Sequence, residues 1–189
     1  MTRSIPVRVL FIACIAAYPF LVYFGLQFMP PSGFGLALLV LLAMRYGVLL
    51  PSERPVLVPM LLVFVTYALI ATLSGSQLML LYYPAVVNFT LCVVFLNSMR
   101  QGDPLLLRIV RARGWPVSEH APKYLYRLTG VWVAFFVLNA IISIWTSTQT
   151  IEVWTLYNGF LSYCLVALLF GGEVLFRGYY KRRMGVENP

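Results

Sequence analysis

Apolar residues in this chain form long continuous runs, which short polar segments separate. An α-helix needs about 20 consecutive apolar residues to cross a hydrocarbon core of about 30 Å. The runs do not alternate between apolar and polar positions, so they predict transmembrane helices rather than the strands of a barrel. We therefore predict an all-α bundle of six transmembrane helices, formed by residues 9–28, 34–50, 56–73, 78–97, 126–145 and 153–177.

The basic residues are confined to one side of this predicted bundle. All 14 Lys and Arg residues lie at the N-terminus, around the connection between helices two and three, around that between helices four and five, or at the C-terminus. The alternate connections, near Ser32, Gly75 and Thr148, contain none. Because cytoplasmic loops of membrane proteins concentrate Lys and Arg, we predict that both termini lie in the cytoplasm.

The composition agrees with a membrane protein and excludes several other classes. Hydrophobic residues make up 61% and charged residues 11% of the 189 residues, and the formal net charge is +8. These proportions exclude an ordinary soluble enzyme, a disordered chain and a soluble nucleic-acid-binding domain. Residues 1–189 are predicted to form a single transmembrane domain. The apolar run after Arg8 is longer than that of a signal peptide, so we expect helix one to remain in the mature protein.

A short amphipathic helix is predicted between helices four and five. Asp103-Pro104 is typical of an N-cap followed by proline at the first helical position. The apolar face is expected to consist of Leu105, Leu106, Ile109 and Ala112. The basic residues expected to contact anionic lipid heads of the inner leaflet are Arg108, Arg111, Arg113 and Lys123. The alternative is a cytoplasmic connector whose leucines pack on the bundle.

Three asparagines lie inside apolar helices, where a polar side chain is costly. Asn88, Asn139 and Asn158 fall in predicted helices four, five and six. Their amides can bond across helices and hold the bundle together, each bond contributing about 1 kcal/mol or less. They can instead face a substrate or lipid, and such a polar path would also include Glu173. Pro84 is expected to kink helix four and to free nearby backbone carbonyl groups.

Two carboxylates near the ends of helix six also have two interpretations. Glu152 begins the helix beside Trp154 and Tyr157, which is typical of an aromatic belt with an acidic group at the positive end of the helix dipole. The alternative is a polar vestibule at the outer face. Glu173 lies four residues before Arg177 and can form an ion pair with it. The alternative is a buried group that binds and releases protons.

Signatures of catalysis or cofactor binding are scarce. His120 is the only histidine and is expected in a cytoplasmic loop, beside Glu119. No HExxH, Walker or GxSxG motif occurs, so the sequence predicts neither an enzyme, nor a metal site, nor a cofactor. The three cysteines all lie in apolar runs, where we expect them to pack as small apolar side chains. They are Cys14, Cys92 and Cys164.

From Tyr82 onward the chain resembles the intracellular septation protein A family of small bacterial inner-membrane proteins. The matching elements are a basic segment after an apolar helix, Asp103–Arg108 (DPLLLR), and an aromatic helix start, Tyr126–Phe136 (YRLTGVWVAFF). The first half is similar only in the order of its helices. The stretch Trp154–Gly159 (WTLYNG) departs from that family and is similar to uncharacterised membrane proteins encoded beside fatty-acid-synthase-like or aryl-polyene gene clusters.

The resemblance implies a Gram-negative inner-membrane protein linked to envelope biogenesis or lipid homeostasis, and it supplies no catalytic residues. The first functional hypothesis is therefore a non-enzymatic protein of envelope maintenance. The alternative is a small translocator of lipids or polyketide lipids. The expected partners are membrane lipids, envelope-assembly proteins or a second copy of the chain, and no nucleic acid.

Overall fold

The computed structural model of the protein describes residues 54–112, 114, 117 and 121–184, together with residues 20, 23–25, 28 and 33. Side chains are described between Val58 and Phe176. Within this part the chain is all-helical and contains no strand. Several predictions lie outside the described residues: almost all of helices one and two, and the side chains of Cys14, Arg113, Glu119, His120 and Arg177.

The described chain folds into α1 (Arg54–Ser74), α2 (Gln77–Arg100), α3 (Leu105–Ala112), α4 (Ala121–Thr146), α5 (Ile151–Leu156), a π-helical segment (Tyr157–Leu161) and α6 (Ser162–Met184). By length and composition, three helices can cross a membrane: Gln77–Arg100, Ala121–Thr146 and Ile151–Phe176. The last of these combines α5, the π-helical segment and most of α6. The three helices coincide with predicted helices four, five and six. The described part of the protein is thus all-helical, with helices suited to a membrane.

Two clusters of apolar side chains hold these helices together. The first joins α2 and α4 through Cys92, Trp132 and Phe136, with the Phe95 ring edge-on to Phe136 at 5.1 Å between ring centres. The second joins α1, α2 and α5 through five buried residues: Leu61, Ala68, Leu81, Tyr83 and Trp154. Cys92 packs inside the first cluster as a free thiol.

The polar connection after α2 is fixed by side-chain bonds. The Asp103 carboxylate accepts hydrogen bonds from Arg108 Nε at 3.0 Å and from Arg111 Nη1 at 3.1 Å. The backbone amide of Leu105 donates to Ser98 Oγ at 2.9 Å, so a serine of α2 satisfies the first free amide of α3. Asp103 therefore links the two arginines, in a place where the sequence predicted an N-cap.

The apolar residues of α3 divide between the bundle and the exposed side of the helix. Leu107 is its most buried residue, at 3% exposure, whereas the predicted face residues Ile109 and Ala112 are exposed. The buried stripe runs through Pro104 and Leu107, three residues apart and therefore on one side of the helix.

Candidate functional site

Asn139 is the centre of a hydrogen-bond relay that joins three helices. Its Nδ2 donates to Asn88 Oδ1 of α2 at 2.9 Å, and its Oδ1 accepts a hydrogen bond from Tyr157 Oη at 2.7 Å. Asn88 Nδ2 in turn donates to the carbonyl oxygen of Pro84 at 2.8 Å. The relay thus runs from the π-helical segment through α4 to the proline of α2.

Asn158 forms a second group of bonds one turn away. Its Oδ1 accepts a hydrogen bond from Ser143 Oγ at 2.8 Å, and its Nδ2 donates to Thr146 Oγ1 at 3.1 Å and to the Trp154 carbonyl at 3.0 Å. Ser162 Oγ donates to the Asn158 carbonyl oxygen at 3.1 Å. These bonds fasten the last long helix to the end of α4.

The carbonyl oxygen of Leu81 connects α2 to the other two helices at the same level. It accepts hydrogen bonds from Trp154 Nε1 at 2.8 Å and from Ser147 Oγ at 2.9 Å. Leu81 lies three residues before Pro84, whose ring disturbs the helix around the preceding turn. This carbonyl, close to Pro84 in the chain, thus takes part in the contacts between helices.

The π-helical segment places consecutive polar side chains against α4. Tyr157, Asn158 and Gly159 are all buried, and the first two bond to different residues of α4. A π-helical turn inserts an extra residue and changes which side chains face a neighbour. The only signal for this turn in the amino-acid sequence was the cluster of polar and small residues itself.

The polar core, formed by Asn88, Asn139, Ser143, Tyr157 and Asn158, is closed within the described chain. The asparagines are 9%, 6% and 3% exposed in chain order. Throughout residues 58–176, where side chains are described, Thr155 Oγ1 is the only fully buried side-chain N or O atom without a hydrogen-bond partner. The asparagines therefore lie in helix contacts, and none of them lines the groove described next.

A groove of about 730 Å³ lies between the first half of α4 and the second half of α6. Tyr124 Oη donates to Glu173 Oε1 across it at 3.2 Å, and the rings of Tyr124 and Phe176 are stacked at 6.5 Å. We call it the α4–α6 groove. It is lined by Lys123, Tyr124, Arg127, Leu128, Val131, Leu168, Leu169, Gly172, Glu173 and Phe176.

The groove contains only some of the residues singled out from the sequence. Lys123 and Glu173 line it, whereas Arg108 and Arg111 lie outside it and bind Asp103. Sequence reasoning did not assign Arg127 and Tyr124 to a lipid contact. The spacing of Lys123 and Arg127, four residues apart on one helix face, was the available signal.

Other candidate residues are dispersed. Glu152 is exposed in the first turn of α5, two residues before the buried Trp154. Within the described residues, no group of three or more His, Cys, Asp or Glu side chains is placed to hold a metal ion. Of the four path candidates, Glu173 lines the α4–α6 groove, and Asn88, Asn139 and Asn158 do not.

Comparison of the chain with protein-family models, with curated proteins and with solved structures gave no match in any of the three cases.

Proposed function

We propose that the chain is a six-span protein of a bacterial inner membrane, with both termini in the cytoplasm. It acts in envelope biogenesis or membrane homeostasis without catalysing a reaction, through contacts with lipids and partner proteins. The closed polar core carries this proposal. Its amides and hydroxyls bond to one another between helices, which is the arrangement expected of a stable scaffold.

The distribution of charge supports the same proposal. The ionised groups in the described part gather at one end of the long helices, around α3 and the α4–α6 groove, apart from Glu152 at the opposite end. A basic surface at the membrane boundary attracts anionic lipid heads. The resemblance of segments 103–108 and 126–136 to an envelope-associated family favours the bacterial inner membrane as the location.

A lipid translocator is the second candidate, and the α4–α6 groove is the observation that favours it. In this proposal the groove would receive a lipid at one end of the bundle. The asparagines give the translocator less support, because their donors and acceptors already bond to each other, to neighbouring hydroxyl groups and to the backbone. A polar path through them would first require this relay to open.

The proposed topology is tested by labelling single cysteines in an otherwise cysteine-free chain. A membrane-impermeant maleimide added to intact cells should label Ser32→Cys and Thr148→Cys, and should label Ser118→Cys only after the membrane is permeabilised. The charge distribution is the reason, since positions 32 and 148 lie in connections without Lys or Arg. Labelling at position 118 in intact cells would contradict the orientation, and protection at position 32 would contradict the six-span count.

The proposed non-enzymatic role is tested by complementation. A bacterium that lacks the gene should admit more of a large antibiotic through its envelope, and the double variant Glu119→Gln/His120→Gln should restore the barrier to the wild-type level. These residues are the nearest approach to an acid–base pair in the sequence. Failure of this variant at normal protein abundance would indicate catalysis. An unchanged barrier in the deletion strain would refute a role in the envelope.

A further inference from the structure

We propose that the α4–α6 groove binds one anionic phospholipid, with the lipid phosphate held by Lys123 and Arg127. This inference rests on the membrane location in the proposed function and deepens it by specifying a lipid class and a site. The site differs from the surface expected from the sequence, because it excludes Arg108 and Arg111.

The charged end of the groove contains two cationic side chains that are not bonded to another described side chain. Lys123 and Arg127 are exposed, and neither forms a hydrogen bond or an ion pair with another described side chain. Glu173 differs, because it accepts a hydrogen bond from Tyr124. The ionised lining side chains are two cations and one carboxylate, so the groove favours a ligand of net negative charge.

The rest of the groove is apolar along the length of the helices. α4 is antiparallel to the long helix Ile151–Phe176 that contains most of α6, because Tyr124 bonds to Glu173 near one end and Ser143 bonds to Asn158 near the other. Val131 lies eight residues beyond Lys123, which is about 12 Å along the helix axis. From Lys123 toward Val131 the lining of the groove changes from charged to aliphatic side chains. The aliphatic side chains are those of Leu128, Val131, Leu168 and Leu169.

This gradient matches an amphiphile better than a free anion. A phosphate ion or an acidic peptide would satisfy the charged end and leave the aliphatic wall uncovered, whereas an acyl chain would cover that wall. The volume of about 730 Å³ falls in the ordinary range of ligand sites. Since the two helices that form the groove can cross a membrane, a phospholipid is the amphiphile available to it.

A glycine keeps the groove open on the α6 side. A Cβ atom built at Gly172 meets no atom within 4 Å, so a large side chain there would extend into the groove. Gly171 is also free of neighbours, but it does not line the groove. Gly172→Trp and Gly171→Trp therefore form a matched pair, in which only the first variant blocks the site.

The experiment measures lipids retained by the purified full-length chain. The protein is placed in discs of phosphatidylethanolamine and phosphatidylglycerol, extracted gently, and its bound lipids are compared with the disc composition by mass spectrometry. Wild type and Gly171→Trp should retain about one phosphatidylglycerol per chain in excess, and Gly172→Trp should retain none. Lys123→Gln/Arg127→Gln should bind it roughly 30-fold more weakly, from the loss of two charges. Arg100→Gln, which removes one exposed charge outside the groove, should bind normally.

Three results would overturn the proposal. The first is no excess lipid on the wild-type chain, which is the result expected if other residues of the chain or a second copy cover the groove. The second is equal retention by Gly172→Trp and Gly171→Trp, and the third is selective retention of phosphatidylethanolamine. If Gly172→Trp does not fold, the two charge variants decide. The outcome is independent of the envelope assay, so a failed lipid site and a failed envelope role are distinguishable.

Discussion

Trp154→Ala is expected to lower the free energy of unfolding by about 3 kcal/mol, which is the largest effect of any single substitution considered. The indole has no exposed surface and packs in one cluster with Leu61, Ala68, Leu81 and Tyr83. Its Nε1 also donates to the Leu81 carbonyl oxygen at 2.8 Å. Truncation removes both the packing between helices and the donor. The measurement is reversible unfolding of the purified protein in mixed micelles.

Two variants place the effect of Trp154→Ala on a scale. Trp154→Phe keeps one aromatic ring but removes the N–H group and part of the indole volume, so it should cost more than the roughly 1 kcal/mol of the hydrogen bond alone and less than Trp154→Ala. Trp145→Ala is the matched control, because Trp145 is 58% exposed in the described structure, and it should cost less than about 0.5 kcal/mol. Equal effects of Trp154→Ala and Trp145→Ala would show that Trp154 does not join α5 to α2.

The helices themselves could be predicted from the sequence, because a long apolar run has few alternatives in a membrane. The turn between α1 and α2 was equally clear. Gly75 has φ of +60°, a left-handed conformation that glycine adopts without strain, and it lies in the predicted Ser74-Gly75-Ser76 turn. Such signals are local, since they depend on residues that are adjacent in the chain.

The rotation of each helix about its axis could not be predicted in the same way. A helix that is apolar all round has no polar face to indicate which side is buried. Asn88 and Asn139 are 51 residues apart, and their contact depends on how α2 and α4 pack. The burial of Leu107 was not predicted for a related reason, because it depends on how α3 contacts the rest of the bundle.

The candidate lipid site could likewise be predicted only in part, because some of its features depend on neighbouring residues in the chain and others on the packing of distant helices. Lys123 was singled out from its charge alone, whereas Arg127 and Tyr124 acquire a role only through α6. Glu173 and Gly172 are about 50 residues further along the chain, and the antiparallel packing of α4 and α6 brings them to the same groove. The sequence pattern alone does not show that these residues of α4 and α6 lie close together, because their proximity depends on how the two helices pack.

Asn139→Leu is expected to lower the free energy of unfolding by about 2 kcal/mol, the second large effect. The substitution keeps the volume approximately constant and removes two hydrogen bonds, one to Asn88 and one from Tyr157. Bonds of this kind between membrane helices contribute about 1 kcal/mol each, and the Tyr157 hydroxyl would also lose its acceptor in an apolar setting. Asn97→Leu on α2 is the control, because Asn97 is exposed and should change stability by less than about 0.5 kcal/mol.

A double-mutant cycle of Asn139→Leu with Tyr157→Phe tests whether the relay is a structural link or an open polar path. In a structural link the two losses of unfolding free energy are not additive. Asn139→Leu leaves the Tyr157 hydroxyl without an acceptor, and Tyr157→Phe removes that hydroxyl, so we expect a coupling of about 1 kcal/mol. A polar path would hold its side chains against water or a lipid headgroup instead of against each other. Two results together would therefore favour the translocator over the scaffold. The first is additive effects of the two substitutions on the free energy of unfolding. The second is slower transfer of lipid between the two leaflets of vesicles that contain the Asn139→Leu variant than of vesicles that contain the wild-type chain.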